Sequence, residues 1–427
     1  MGKRVVSEYI ARVEGQGRLE VEIENDRLKD LRLQIFEPPR FFEAFLVGRK
    51  YWEVHEIAAR ICGICPVAHV ITALRAVEKA LKIHVSEDTI LWRKVLADSA
   101  IVQSHALHVY LLAAPDFLGY HSALEMADKF KNEVVRGLRM KRVANTITKW
   151  VGGRVIHPMA AVVGGFTRPP DLREKKRILD MLKNAEKDAV ATIEMVASFE
   201  YPDFEVDYEF VAIRNKDSYA INRGRIVSNK GLNIEEDEYR KFIGERQVPY
   251  SSTKHSYVKG RGPFMVGPLA RFNLNFDRLK GEARDKAEEI GFKPIVRNPF
   301  KSTIARSIEM YHLILEMEEL IERGGEDVKV GKVRGGRGEG TAVTEAPRGL
   351  LYHAYTLGKF GEVVKADIVP PTAHNYFRIE EDLRKQVSEI IDEEEEEIKR
   401  RCEMLVRAYD PCISCSAHFL EITLRRR

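Results

Sequence analysis

Cysteine is scarce in this chain: 427 residues contain five. That excludes a disulfide framework of the kind small secreted domains use in place of a large core. Long apolar runs are also missing. None approaches the ~20 residues needed to cross a bilayer, and Met1 to Arg12 is polar and charged, unlike a signal peptide. A cytoplasmic protein with no membrane association is therefore expected. Neither sign of charge dominates, since 69 Lys and Arg face 65 Asp and Glu for a net charge of +4, and this gives no case for nucleic acid as a partner. Glutamine occurs five times while charged residues make up 31%, a balance associated with proteins from hot environments. With 44% hydrophobic residues the chain can bury a large core.

What is present is two cysteine pairs near opposite ends, Cys62-Gly63-Ile64-Cys65 and Cys412-Ile413-Ser414-Cys415. Each CxxC puts two sulfurs on one short turn. Two such turns facing each other make a four-sulfur cage, whose soft donors suit zinc, iron–sulfur, copper(I) or a nickel-containing centre. Zinc ribbons draw both pairs from one local module, whereas about 350 residues separate these. A shared metal requires the two ends to meet, so residues 1–418 are read as one interlocked body. Cys402 falls on the stripe formed by Leu383, Val387, Ile390, Ile391, Ile398 and Leu405 and reads as core packing.

Apolar periodicity predicts an α+β fold, mainly helical, with a long-helix bundle at its core and β elements at the periphery. Helices are expected at about 49–61, at 66–82 with Pro66 in the first turn, and from a Ser86 cap to 114. Others are expected at about 122–150, 171–198, 303–323 and 377–408, the acidic run Glu393–Glu397 forming a solvated face inside the last. Alternation over 18–34 around Asn25-Asp26 predicts a hairpin. Residues 200–275 read as a β-rich lobe. The glycines of 334–340 mark a loop or tight hairpin that lacks the lysine and Ser/Thr of a phosphate-binding loop. His105 and His108 read as packing or proton-path residues rather than ligands.

The flanks of the cysteines carry a resemblance. Arg60-Ile61-Cys62-Gly63-Ile64-Cys65 with His69, and Asp410-Pro411-Cys412-Ile413-Ser414-Cys415-Ser416-Ala417-His418, resemble the two signatures of the large, catalytic subunit of nickel-iron hydrogenases. Arg12-Val13-Glu14-Gly15, Pro39-Arg40-Phe41-Phe42-Glu43 with Gly48-Arg49, and Glu345-Ala346-Pro347-Arg348-Gly349 resemble further segments of that family. Gly152-Gly153-Arg154 with His157-Pro158, and Gly164-Gly165-Phe166, also fit. Within the family the likeness is to the cytosolic bidirectional group, including archaeal sulfhydrogenase alpha subunits.

The resemblance implies that fold and reversible heterolysis of H2 to protons and electrons. It implies Cys62 and Cys412 as terminal nickel ligands, and Cys65 and Cys415 as bridges to an iron carrying CO and cyanide. Glu43 and His418 would bind magnesium or a second iron. The Cys412 sulfur and Glu14 would carry the proton, Arg348 would face the metals with Asp410 and Asp116 orienting it, and His69 would hydrogen-bond a cysteine sulfur. No cysteines remain for an electron wire, so iron–sulfur clusters and flavin are expected only on partners: a small subunit with iron–sulfur clusters, a diaphorase passing electrons to NAD(P), and further iron–sulfur subunits. Residues 419–427 read as a C-terminal propeptide removed by a maturation endopeptidase after nickel chaperones have loaded the site. Similar large subunits serve F420 or a heterodisulfide reductase. Two other readings are the metal-free quinone-site subunit of complex I and a zinc-stabilised scaffold.

Overall fold

The computed structural model describes residues 3–38, 40–331 and 333–417. Its centre is the helix Glu87–Leu107, begun by Ser86, whose side chain accepts a hydrogen bond from the Thr89 N–H. Trp92, Val95, Leu96, Ala100 and Ile101 are all buried, because the helices Lys131–Gly152 and Ser302–Arg323 pack against it, and Lys175–Ala197 packs in turn on the latter. It runs on into a π-helical segment, His108–Ala113, and a further turn, Ala114–Leu118, ended by Gly119 in the left-handed region. Such a bulge inside a long helix re-aims the side chains beyond it.

The helix Pro66–Ala80 starts with proline at its first position, directly after Cys65. It packs on a three-stranded antiparallel meander, Gly338–Ala346, Gly349–Leu357 and Val363–Val369. Gly338 and Gly340 lie against the carbonyls of Ala80 and Ala76, where any side chain would collide with the helix backbone. The meander register pairs Ala346 with Gly349, which puts Pro347 and Arg348 at the tip of a tight turn. A second meander, Lys3–Ser7, Gly17–Glu24 and Arg27–Ile35, turns at Asn25-Asp26, both with positive φ as a two-residue hairpin requires. It packs on the helices Pro371–Glu389 and Glu395–Tyr409. The fold is α+β, with a helical centre and peripheral sheets.

Three expectations need correction. The predicted helix at 49–61 is two short pieces, Val54–Ala58 and a 3-10 turn Ala59–Ile61. The predicted helix at 377–408 is two, Pro371–Glu389 and Glu395–Tyr409, and the acidic run begins the second instead of lying within one. Carboxylates are favoured there by the helix dipole, so the run starts a helix while keeping an apolar period that reads through the break. The 200–275 lobe holds five short strands, from Val211–Arg214 to His255–Val258, but ends in a helix, Pro268–Asn275. One hydrophobic core runs from Val5 to Cys415, with a smaller cluster around Val211, Ile226 and Phe264.

Candidate metal centre

The two cysteine pairs meet. The Sγ atoms of Cys62, Cys65, Cys412 and Cys415 all lie within 4.8 Å of one another and all four residues are buried. The Cys62 and Cys412 sulfurs are 3.6 Å apart. Local backbone explains the first pair: after the 3-10 turn the chain folds so that the N–H groups of Ile64 and Cys65 point at Cys62 Sγ, at 3.3 and 3.1 Å. The second pair follows Asp410, which ends its helix in the left-handed region (φ 54°). Thr372 anchors it by accepting from Cys412 N–H at 2.8 Å. The Cys412 and Cys415 sulfurs are in disulfide contact, with Cα atoms 5.5 Å apart; holding a metal uses the same two atoms as thiolates. Arg40 ties both loops together, donating to the carbonyls of Arg60, Ile61 and Ser414.

Glu14 sits against the C-terminal pair. Its backbone bridges to Cys412 and accepts from Ile413 N–H at 2.9 Å. Its carboxylate Oε2 lies 3.1 Å from Cys412 Sγ and accepts from Ser414 N–H at 3.1 Å. Arg348, at the tip of its turn, donates through Nε to the Asp410 carbonyl at 2.6 Å and through Nη2 to Asp410 Oδ1 at 3.0 Å. Among the described residues, Nη1 of Arg348 and Oδ2 of Asp410 are buried without a hydrogen-bond partner. Burial disfavours both charges, yet each holds the other: Arg348 stays firmly protonated and Asp410 remains below the usual carboxylate range. Burial also resists a Cys62 thiolate, but the Cys65 hydrogen bond and the Arg348 charge outweigh it and lower that pKa. The same hydrogen bond, with burial, pushes Cys65 well up.

His69 lies one turn into the Pro66–Ala80 helix, and burial lowers its pKa to about 3. Nδ1 is 3.1 Å from His353 Nε2, and Nε2 has no partner among the described residues. Glu43 accepts from Ile368 N–H at 2.7 Å, and burial pushes its carboxyl up to about 6, partly opposed by that hydrogen bond. It lines a cavity of about 30 Å³ with Arg40, Ser414, Cys415 and Ala417. His418 and the tail 419–427 lie outside the described residues.

Asp116 is a correction. Its carboxylate pairs with Arg12 and, bidentately, with Arg407 at 2.7 and 2.9 Å; none of its hydrogen bonds among the described residues reaches Arg348. Two nearer guanidiniums, delivered by the N-terminal segment and the last long helix, take both of its oxygens. His105 and His108 are no ligands here: they contact Glu309 and the Arg407 carbonyl, at 2.6 and 2.8 Å. Cys402 is fully buried among apolar side chains. Arg40, Thr372 and His353 were not assigned from sequence. Arg40 stood inside a quoted motif, while Thr372 and His353 carry no local signal.

Four crowded, buried sulfurs form a donor set that fits soft metal ions. Among the described residues no other group of three or more His, Cys, Asp and Glu atoms converges this way.

The nickel-dependent hydrogenase profile matches residues 40–137 and 228–418. The alpha chain of sulfhydrogenase 1 from Pyrococcus furiosus is 37% identical over 98% of this chain and 98% of its own length. A relative from the vhu F420-non-reducing hydrogenase of Methanocaldococcus jannaschii is 30% identical over 92% of this chain and all of its own. The solved structure of an NAD+-reducing [NiFe]-hydrogenase in the H2-reduced state superposes with a TM-score of 0.88 at 26% identity, over 97% of this chain and 99% of the other. Fold, motifs and relatives agree along almost the whole length, and the chain belongs to the nickel-dependent hydrogenase family as its large, catalytic component.

Proposed function

We propose that this chain catalyses reversible heterolysis of H2 and delivers the electrons to a small iron–sulfur partner and onward to NAD(P). Cys62, Cys65, Cys412 and Cys415 would hold nickel and an iron bearing CO and cyanide, which would supply an electrophilic centre for H2 and a sink for its electrons. The chain's own residues handle the proton. The Cys412 sulfur is its first acceptor, and Glu14 Oε2, 3.1 Å away, takes it onward, within the range a proton-transfer partner requires. Ser414 N–H fixes that carboxylate in place. Asp410 clamps Arg348 through two hydrogen bonds, so the guanidinium faces the sulfurs with one nitrogen free. Glu43, with His418, would hold magnesium or a second iron beside the C-terminal turn.

The observation that carries the reading is the convergence of four sulfurs from both ends of the chain on one buried point. It also speaks against the quinone-site reading, which needs no such cage; the zinc-stabilised scaffold shares the cage and is separated from the catalytic reading by which metal is bound. Electrons must leave through a partner, because the one remaining cysteine, Cys402, is buried in the core. Support for NAD(P) comes from the NAD+-reducing structural neighbour; a heterodisulfide-reductase-linked partner is the second reading, and the F420-non-reducing relatives favour it over an F420-reducing one. No helix among the described residues is long and apolar enough to cross a membrane, in keeping with a cytoplasmic location. The tail 419–427 would be cut by a maturation endopeptidase once nickel chaperones have acted.

Anaerobic purification of the native complex, with nickel, iron and flavin counts and H2-dependent reduction of NAD(P), tests this. Nickel, iron and a flavin-bearing partner with NAD(P)H formation are expected. A complex with zinc and no nickel contradicts the catalytic reading, and nickel without flavin or NAD(P) reduction contradicts the acceptor alone.

A further inference from the structure

A chain of buried polar groups runs from Tyr355 through His353 to His69, the histidine four residues after Cys65. Tyr355 and His353 are two apart on the strand Gly349–Leu357, so they share one face of it, and the strand packs on the helix Pro66–Ala80. Tyr355 Oη lies 2.6 Å from His353 Nδ1, and His353 Nε2 lies 3.1 Å from His69 Nδ1. The three are 2%, 0% and 0% exposed, so no solvent reaches them. His69 follows Cys65 by one helical turn. Side chains on a helix lean toward its N-terminus, which here is the Cys65 end, and His69 Nε2 has no partner among the described residues.

Counting hydrogens settles the direction of this chain. Both imidazoles are buried and neither has a carboxylate among its hydrogen-bond partners in the described residues, so each is the neutral ring, with one N–H and one lone pair. If His69 donated to His353, then His353 would donate to Tyr355. The Tyr355 hydroxyl hydrogen would then have no acceptor among its hydrogen bonds in the described residues, although the Glu43 carboxyl is close enough to act on it through its charge. In the opposite direction Tyr355 O–H donates to His353 Nδ1, His353 Nε2–H donates to His69 Nδ1, and His69 Nε2–H becomes the terminal donor. Every hydrogen then has an acceptor once a sulfur takes the last one.

We propose that Tyr355 and His353 are positioning residues that lock His69 in its Nε2–H tautomer, as the donor to a cysteine sulfur of the metal cage. The inference rests on the four sulfurs being a nickel–iron site. A hydrogen bond to a ligating sulfur withdraws charge from it, so the chain lowers electron density at the metals and its loss moves the nickel potential downward.

The test uses the holoenzyme with His353→Leu, His353→Gln and Tyr355→Phe, read by nickel content, the nickel midpoint potential from redox-poised EPR, and H2 oxidation. Leucine leaves His69 Nδ1 without a donor, and activity should fall about tenfold or more with a lower potential. Glutamine keeps an N–H aimed at His69 and should stay within about threefold of the parent, at the parent's potential. Phenylalanine differs by one oxygen, so it keeps the inference testable if leucine does not fold, and it should lose activity severalfold with a downward shift. A nickel-loaded parent in which leucine and glutamine behave alike, or in which the phenylalanine variant matches the parent, overturns the inference alone. A parent without nickel overturns the reading of the site, and the inference with it.

Discussion

Two buried polar clusters lie close together in this fold, and one is closed where the other is open. In the first, Arg271 donates to Glu309 through Nε and Nη2, both at 2.6 Å, and to Glu345 through Nη1 at 3.0 Å. Glu309 also accepts from Tyr219 and contacts His105, and Glu345 accepts from Ile213 N–H. Every polar atom of these three charged side chains has a partner. At the cysteines, by contrast, Arg348 Nη1, Asp410 Oδ2 and His69 Nε2 are buried without a hydrogen bond among the described residues, Asp410 Oδ2 having only the more distant charge of Arg306 at 3.9 Å. A buried polar atom left without a hydrogen bond is costly, so a fold retains such atoms where something else will meet them. The clusters are also joined: Arg271 donates to the carbonyls of Ala346 and Pro347, the two residues before Arg348. The closed cluster makes the turn rigid so that the open one can present a fixed guanidinium.

Breaking each side in turn tests this division. Cys412→Ser removes the sulfur proposed as both metal ligand and first proton acceptor, and H2 activity should vanish together with bound nickel, as measured by gas uptake and elemental analysis. Glu14→Gln keeps the hydrogen bond from Ser414 but cannot carry a proton; H2–D2O exchange should fall about 10²- to 10⁴-fold with metal content unchanged. Arg348→Lys retains the charge but not the planar fork gripping Asp410, and activity should drop about 10²-fold while thermal stability moves little. Arg271→Met should show the reverse bias. Leaving Glu309 and Glu345 buried without their cation should cost about 3–5 kcal/mol in denaturant unfolding. Equal stability losses for the two arginine variants would dissolve the comparison.

The smallest effect concerns Glu43. Its folded carboxyl is pushed up to about 6 from an ordinary 4.5, so the folded chain binds a proton that the unfolded chain has already released. That stability is present at low pH and is lost as pH rises through 6, by about 2 kcal/mol in protein stripped of divalent ions. Glu43→Gln should flatten this part of the pH–stability curve. An unchanged slope would remove Glu43 as its source.

What could be read from sequence follows how local each signal is. Scarce cysteines in pairs, with arginine, proline and histidine flanks, announced a cage and its family. The Asn25-Asp26 turn and the Ser86 cap gave their elements away through backbone chemistry confined to a few residues. Asp116 was misplaced because its partner depends on which guanidinium tertiary packing brings nearest, and Arg12 and Arg407 arrive from opposite ends of the chain. His353 and Tyr355 carry no signal in the sequence; only the packing of their strand on the Pro66–Ala80 helix brings them to a histidine. The break between Glu389 and Glu395 was hidden because the apolar stripe keeps its period across it.

Nickel X-ray absorption on the anaerobically purified complex tests the central claim most directly. Nickel surrounded by sulfur with iron as its neighbour, the sulfur signal being diminished in Cys62→Ser, is the predicted result. Nickel bound only through nitrogen and oxygen, or a signal indifferent to Cys62, would contradict it.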